Sequence, residues 1–434
     1  MKKLHKHAAG IDLGSRKIFI GLEGKEVVSF ETFTSDFLKA SDYLKQNYVT
    51  TVAMEATGVY WIVLYDILVA AGIDVWLVDG RQTKQVPGRK TDVKDCQWIQ
   101  QLHSYGLLNR CFVAEGVLKT LRSYQRIRED HIRSSAMHVQ HMQKALIEMN
   151  IRLPEVLAQV HGKSGMTMIK AIIDGERNPN VLLSLCDDRL KKYKSEQILK
   201  ALEGFYTPQG IFALKQASDA YMFYQKQISD CDIEISKILV KLNPVNTNGK
   251  PIKRKPIRHH APNIKNFGNH MLYLFNGKDA TMLSGITDYS WFQIYTEIGS
   301  DLSKWPTEKH FTSWLALSPG QNHSGKKKLN AKKGHPKAGQ IFRQIAQSLI
   351  VSKNIALGAF GRRIRARKGP GIAIKAIARK LAIQFWRLMV KGSDFVEKGV
   401  ENYERILLQQ KQKALKRMAK ELNVEIVTSI YTGD

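Results

Sequence analysis

The stretch AAGIDLGSRKIFIGL, residues 8–22, decides the fold class of the first part of the chain. A short apolar run reaches Asp12, turns through Gly14 and Ser15, and resumes as a second apolar run, which indicates two strands joined by a tight turn. The first strand therefore ends on a carboxylate. Three interpretations of Asp12 are open at this point: it faces a nucleotide phosphate, it holds a metal ion, or it caps the hairpin.

The residues that follow predict an α/β domain. A third short strand completes a meander, and it is followed by helix, strand, helix and strand. These segments are KEVVSFETF, SDFLKASDYLKQN, VTTVAMEAT, GVYWIVLYDILVAAG and IDVWLVD. This is the order of an RNase H-like or an actin-like sheet, because helical crossovers favour parallel pairing of the later strands. In an RNase H-like sheet the first and fourth strands are neighbours.

The composition points to a polyanionic partner. The chain has 434 residues, of which 43% are hydrophobic, and 67 Lys and Arg outnumber 39 Asp and Glu. So large an excess favours nucleic acid, with an anionic membrane surface as the weaker choice. No apolar run approaches the roughly 20 residues that span a bilayer. The four cysteines show no CxxC spacing, which argues against a structural zinc site and predicts a cytoplasmic, nucleoid-associated protein.

The rest of the chain is predicted to be mainly helical. Two long helical patterns, near 115–149 and 215–242, suggest a coiled-coil arm or a bundle. We therefore expect five regions: a catalytic α/β domain at 1–112, a helical region with an insertion at 113–242, a basic linker at 243–268, a second helical domain at 269–396, and a charged helix and tail at 397–434. The role of 151–265 is not indicated by its sequence.

Four acids stand out by position in the α/β domain. They are Asp12 on the first strand, Glu55 at the end of the fourth, and Asp92 and Asp95 at the start of a helix. Carboxylates packed closely repel one another unless cations lie between them. Oxygen ligands with open positions suit Mg²⁺ or Mn²⁺, and two such ions stabilise an in-line displacement at phosphorus.

Three of the four acids also have an ordinary structural explanation, whereas Glu55, a partly buried acid before Ala-Thr-Gly, is less easily explained in that way. Asp12 suits a turn, Asp92 suits a helix cap, and Asp95 suits an exposed first turn where it interacts favourably with the helix dipole. Four acids at the expected topological positions in a basic protein favour the metal interpretation. An actin-like ATPase is disfavoured because no further Gly-rich phosphate loop follows.

A serine in a basic loop is the second candidate site. Ser324 lies in SPGQNHSGKKK, and cations there would activate a hydroxyl that is otherwise a poor nucleophile. Alternatively, Ser324 is a turn residue in a DNA-binding loop. A second basic run, GRRIRARKGPG at 361–371, is expected to contact phosphates; the alternative, a solvated charged loop, is disfavoured by the large net positive charge. The expected nucleic-acid contacts are Lys326, Lys327, Lys328, Lys332, Lys333, Arg343, Arg362, Arg363 and Arg365.

These motifs resemble the DEDD transposases of insertion-sequence family one-hundred-ten, the bridge-RNA-guided recombinases of bacterial mobile elements. The matching stretches are GIDLGSRK, MEATGVYW, GRKTDVKDCQWIQQLHSYGLL, WLALSPGQNHSGKKKLNAKKGHPKAGQIFRQ and AIARKLAIQFWRLMVKG. Lys326 departs from the usual Ser-Gly-Gly-Lys. The region 151–265 is also longer than the resemblance predicts, which leaves room for an accessory nucleic-acid-binding insertion.

The resemblance implies a RuvC-like domain that binds Mg²⁺ through Asp12, Glu55, Asp92 and Asp95. It also implies a helical transposase domain in which Ser324 forms a covalent link to DNA. The implied partners are element ends, target DNA, a non-coding guide RNA and further copies of the chain, as a dimer or tetramer. The two domains would together form one composite site.

Two other functions remain open from the sequence. A structure-selective nuclease of the Holliday-junction type would need the acids but no serine, and it would leave hydrolysed ends. A non-catalytic nucleic-acid-binding protein would bind in a salt-sensitive way without Mg²⁺-dependent cleavage.

Overall fold

The computed structural model describes residues 2–83, 92–243, 257, 260–319, 323–324, 327–328, 336–352 and 355–425. The chain divides into two compact units, an N-terminal unit (Met1–Val113) and a C-terminal unit (Ala114–Asp434). Among the described residues, every helix is too short or too polar to cross a membrane.

The N-terminal unit is an α/β domain. Its elements are β1 (Ala8–Leu13), β2 (Lys17–Leu22), β3 (Val28–Glu31), α1 (Thr34–Gln46), β4 (Thr51–Glu55), α2 (Trp61–Ala70), β5 (Asp74–Val78), α3 (Gly80–Thr83) and α4 (Asp92–Ser104). The predicted meander, the two strands after it and their helices are confirmed, and α4 begins at Asp92 as the sequence indicates.

The five strands form one mixed sheet in the order β3-β2-β1-β4-β5. β1, β2 and β3 pair antiparallel, whereas β4 lies parallel to both β1 and β5. The chain leaves β3 at the edge and returns through α1 to the far side of β1, which makes parallel pairing possible. The predicted pairing of the first and fourth strands is therefore confirmed.

Helices cover both faces of this sheet. On one face, apolar side chains of α1 and α2 pack against alternate strand residues such as Ile11 and Met54. On the other face, Ile99 of α4 packs with Ala53 and Val78. Side chains of successive residues on a strand point to opposite faces of the sheet. Each strand residue therefore faces either α1 and α2 or α4.

Two paired glycines allow α4 to lie directly on the sheet. Gly10 and Gly21 face each other across β1 and β2. A Cβ atom on Gly10 would lie 2.2 Å from the Cys96 carbonyl oxygen and from the Gln100 nitrogen, and one on Gly21 would lie 2.9 Å from the Gln97 nitrogen. Only glycine permits this approach, which fixes the position of α4 relative to the strand ends.

The C-terminal unit is mainly helical. Its elements are α5 (Gly116–Glu148), α6 (Leu153–Val156), α7 (Lys163–Ile173), α8 (Pro179–Ser184), α9 (Asp188–Ala201), α10 (Pro208–Leu242), α11 (Phe267–Leu274), α12 (Asp288–Ile298), α13 (Glu308–Trp314), β6 (His323–Ser324), β7 (Lys327–Lys328), α14 (Lys337–Val351), α15 (Ala356–Lys368), α16 (Pro370–Lys391) and α17 (Ser393–Glu421). Both long helices are confirmed, although α10 begins earlier than predicted, at Pro208.

The long helices α5 and α10 pack against each other and bury an ion pair. Arg128 Nε donates to Asp232 Oδ1 over 2.6 Å, and both side chains are almost fully buried. One apolar core lies around α6–α9 at one end of this helix pair. A larger core, built around Trp291, Phe342 and Phe385, holds the helices from α11 to α16 together. Most of the predicted basic linker lies outside the described residues.

Candidate functional site

Asp12 and Glu55 lie side by side at the carboxyl end of the sheet. Ile11 of β1 is opposite Met54 of β4 in the parallel ladder, and the two acids are the next residues on each strand. Alternation along the strands turns both away from the face of Ile11 and Met54 and toward the face covered by α4. Both residues are half-buried. Neighbouring strands are about 4.8 Å apart, so the two carboxylates are close neighbours.

The Glu55 carboxylate is oriented by residues of α3, the short helix that follows β5. Thr83 Oγ1 donates a 2.8 Å hydrogen bond to Glu55 Oε2. Gly80 supplies the necessary space, because a Cβ atom there would lie 2.1 Å from Glu55 Oε1. Trp98 Nε1 of α4 in turn donates to the Thr83 carbonyl over 3.1 Å. The acid at the end of β4 is thus oriented by residues of α3 and α4.

Asp95 lies in the first turn of α4. Cys96, which follows it, is fully buried, and its thiol donates to the Val93 carbonyl over 3.1 Å. The pKa of this thiol is raised to about 11, mainly by burial, with smaller contributions from the negative charges of Asp12 and Asp95. The backbone of Cys96 packs against Gly10 of β1, two residues before Asp12, so α4 passes over the strand that carries this acid.

The fourth predicted acid, Asp92, is the first residue of α4, and its side chain lies outside the described part of the structure. Among the described residues, no three or more His, Cys, Asp or Glu side chains form a group able to hold a metal ion. Asp12 and Glu55 nevertheless supply oxygen donors at the carboxyl end of the sheet, and hard cations such as Mg²⁺ prefer oxygen.

Ser324 lies in a short β-hairpin rather than in an irregular loop. Ser324 pairs with Lys327, and His323 pairs with Lys328, in the antiparallel ladder of β6 and β7. The expected contact residues Lys326, Lys332 and Lys333 lie outside the described residues. The structure therefore gives the backbone setting of the serine and of two lysines that follow it.

Two of the predicted nucleic-acid-binding arginines make structural contacts. Arg362 Nη1 donates to the carbonyl oxygens of Ile350 and Ser352, at 3.2 and 2.6 Å, at the carboxyl end of α14. Arg343 Nη2 donates to the Ala316 carbonyl over 3.3 Å. Carbonyls at helix ends lack partners within the helix, and arginine donors satisfy them.

The second basic run is helical rather than the solvated loop considered as the alternative, and its contact with phosphates stays a prediction. Residues 361–368 form the end of α15, and the chain breaks only at Gly369, where φ is +83°, before α16 begins. Arg363 and Arg365 are exposed on α15, together with Arg367 and Lys368. Residues 337–391 contain thirteen Lys and Arg and no Asp or Glu. This stretch carries much of the net positive charge.

Some residues at the acid end of the sheet were missed by sequence reasoning. Gly80 and Thr83 are the first and last residues of α3, which begins two residues after β5 ends, and a glycine after a buried strand is the signal that could have found them. Trp98 stands one helical turn after Asp95, which is the spacing of residues that share a helix face. None of the three carries a charge, so none stands out among candidate catalytic residues.

Two family models match the chain. A transposase model of the DEDD IS110 type matches residues 9–151, and a model described as the transposase IS116/IS110/IS902 family matches residues 280–360. Together the matches span about half of the chain. The first includes all four predicted acids, and the second includes Ser324 and Arg343. No curated protein matches the chain.

Proposed function

The chain belongs to the IS110 family of transposases, and on that premise we propose that it cuts and rejoins DNA with metal-dependent serine chemistry. The main support is the parallel pairing of β1 with β4, which makes Asp12 and Glu55 neighbours at the carboxyl end of the sheet. DNA is the partner that a transposase requires.

We propose that the N-terminal unit is an RNase H-like, RuvC-like nuclease domain. The strand order supports this, because three antiparallel strands are followed by two parallel ones on the side of β1. In such a sheet, acids at the ends of the central strands converge on one phosphate. The coiled-coil character of α5 and α10 is likewise a proposal, supported by their length and mutual packing.

The residues that would hold Mg²⁺ or Mn²⁺ are Asp12, Glu55, Asp95 and Asp92. These residues would hold a divalent cation that would neutralise the negative charge of the pentacoordinate phosphorus. The protein orients its own donors: Thr83 fixes one oxygen of Glu55, and Gly80 leaves room for the other.

In the proposed reaction the Ser324 oxygen attacks a DNA phosphorus atom. The serine hydroxyl loses its proton, a serine–phosphate bond forms, and the phosphorus–oxygen bond to one sugar breaks, with a proton passing to the departing sugar oxygen. Attack by another sugar hydroxyl on the phosphoserine then restores a phosphodiester and the serine hydroxyl. The lysines after Ser324 would stabilise the added negative charge.

A non-coding guide RNA and further copies of the chain complete the proposal. The acid-free stretch 337–391 supports contact with nucleic-acid backbones, and the exposed cations of α15 are its best candidates. Holding two DNA segments for exchange requires more than one copy of the nuclease, so we expect a homo-oligomer.

The test compares Asp12→Asn and Ser324→Ala with the unchanged protein on a DNA that carries element ends. We expect both variants to fold and to lose recombination, and only the unchanged protein to form a covalent DNA adduct that requires Mg²⁺ or Mn²⁺. Hydrolysed ends from Ser324→Ala would instead indicate a Holliday-junction type nuclease. Recombination by Ser324→Ala would refute the serine mechanism.

A further inference from the structure

An open groove of about 420 Å³ runs along α4 on the N-terminal unit. Its α4 wall includes Lys94, Gln97, Trp98 and Gln101, and Tyr105 extends that wall just past the helix end. The opposite wall is formed by the β2–β3 turn at residues 22–24 and by Lys3. This volume falls within the roughly 300–1,000 Å³ of typical ligand sites.

The groove follows α4, the helix that carries Asp95 near its start, toward the carboxyl end of that helix. The lining residues of α4 recur at three- and four-residue spacing, so they form one stripe along the helix. Lys94 precedes Asp95 directly, and Tyr105 lies about 17 Å further along the helix axis. Trp98 lines the groove and also bonds to Thr83, the residue that orients Glu55.

The residues that line the groove are better suited to contact nucleic-acid bases than to contact a phosphate backbone. Trp98 and Tyr105 offer two aromatic rings two helical turns apart, and the exposed amides of Gln97 and Gln101 can donate to and accept from base edges. Positive charge in the lining is limited to Lys3 and Lys94, and Lys3 forms an ion pair with Glu23 on the wall opposite α4. A duplex, whose bases are stacked inside, would find few partners here.

We propose that this groove binds an unpaired nucleic-acid strand, whose bases stack on Trp98 and Tyr105 while its backbone continues to the acids. This deepens the proposed function and rests on it for the direction of the strand. The shared chemistry is a single-stranded nucleotide segment, which DNA or RNA could supply.

The experiment measures binding of fluorescent oligonucleotides to the full chain by anisotropy. Single-stranded DNA, single-stranded RNA and duplex DNA of one sequence are compared for Tyr105→Ala and Gln101→Glu. Loss of a stacked base costs about 1–3 kcal/mol, so we expect Tyr105→Ala to weaken single-strand binding by about fivefold or more. Duplex binding should stay unchanged. If the variant weakens binding of only single-stranded DNA or only single-stranded RNA, that nucleic acid is the one that the groove binds.

Matched controls lie elsewhere on the same unit. Tyr48→Ala and Gln46→Glu remove an exposed tyrosine and an exposed glutamine outside the groove, and both should bind like the unchanged protein. Unchanged single-strand affinity in both groove variants, or an equal loss for duplex, would overturn the proposal. Cleavage by Asp12→Asn is scored separately, so the groove and the nuclease assignment can fail independently.

Discussion

Thr83 Oγ1 donates a hydrogen bond to Glu55 Oε2 over 2.8 Å, although the two residues are 28 positions apart. Trp98 holds the Thr83 carbonyl, so a chain of contacts runs from α4 through α3 to the acid at the end of β4. An acid that serves as a metal ligand needs such support, because an outer partner fixes the direction of its oxygens.

Thr83→Val tests this support. Valine keeps the shape but removes the hydroxyl, so one Glu55 oxygen loses its donor and its fixed orientation. We expect Mg²⁺-dependent DNA cleavage to fall by about tenfold, the equivalent of about 1.4 kcal/mol, with a higher Mg²⁺ concentration needed for half-maximal rate. Thr83→Ser keeps the hydroxyl and should retain most activity. Equal activity of the valine and serine variants would show that this hydrogen bond is dispensable.

Gly10→Ala tests whether the close packing of α4 against the sheet stabilises the protein. The added Cβ atom would meet two backbone atoms of α4 at 2.2 Å, and backbone cannot move aside as a flexible side chain can. We expect the free energy of unfolding to fall by about 3 kcal/mol or more, measured by urea denaturation.

Gly371→Ala is the matched control for that substitution. Gly371 lies in the first turn of α16, and nothing lies within 4 Å of its built Cβ atom. Alanine favours helix over glycine by up to about 1 kcal/mol, so this variant should be as stable as the parent or more so. A similar loss in both variants would mean that close approach of α4 is not the cause.

Local pattern was enough to predict most of the N-terminal unit. Apolar runs separated by glycine turns predicted β1 and β2, and the element order predicted that Asp12 and Glu55 lie on neighbouring strands. The supporting role of Thr83 could not be predicted, since it depends on a contact between distant segments. The sequence pattern also cannot distinguish Arg362, which binds the end of α14, from the exposed Arg363 beside it.

The run at 361–368 is helical rather than a loop. Arginine and alanine are good helix formers, and the break before α16 is confined to Gly369. Pro370 then occupies the first position of α16, where its missing N–H costs nothing. The structure makes Asp12 and Glu55 neighbours, whereas the convergence of Asp92 and Asp95 with them stays a prediction.

The buried His103 is expected to make the folded protein less stable at acidic pH. It is fully buried in α4, its Nε2 is 2.9 Å from Thr51 Oγ1, and its ring stacks on His5. Burial lowers the pKa of His103 to about 4, with a further lowering by His5 and an opposing effect of Asp74. Between about pH 6.5 and 4 the unfolded chain binds a proton that the folded chain does not.

Stability should therefore decline as the pH falls through that window, by about 3 kcal/mol at most, and level off below it. His103→Gln keeps a polar group for Thr51 but cannot titrate. Urea midpoints measured from pH 7.5 to 4 should show a shallower decline for this variant. Parallel curves for the two proteins would show that another group governs the acid sensitivity.

Removing one partner of the buried Arg128–Asp232 ion pair is expected to lower the free energy of unfolding substantially. Arg128 also donates to the His260 carbonyl, and Asp232 accepts from the Asn263 backbone, so the pair joins α5, α10 and the segment near 260. Arg128→Met leaves Asp232 buried without its cation. We expect a loss of about 3–5 kcal/mol in urea unfolding.

The exposed pair Lys215–Asp219 provides the comparison on α10. Exposed pairs of this spacing contribute about 0.3–0.5 kcal/mol, so Lys215→Met should change unfolding very little. A loss below about 1 kcal/mol for Arg128→Met would contradict the assignment of this pair as the main polar link between the two long helices.

The neighbouring arginines of α15 should divide into one that binds nucleic acid and one that stabilises the fold. Arg365 is exposed, so Arg365→Ala should weaken binding to duplex DNA of any sequence and reduce the slope of log affinity against log salt by about 1. Its unfolding midpoint should not change. Anisotropy titrations at four salt concentrations measure the slope.

Arg362→Ala should behave in the opposite way. The carbonyls of Ile350 and Ser352 would lose their donor, which costs about 1–3 kcal/mol of stability, whereas the salt slope should stay that of the parent. If Arg362→Ala lowers the slope without destabilising the protein, the guanidinium contacts DNA and its bonds to α14 are incidental. Arg362 and Arg365 carry the same charge. Their expected roles differ because Arg362 donates to carbonyls at the end of α14, whereas Arg365 is exposed.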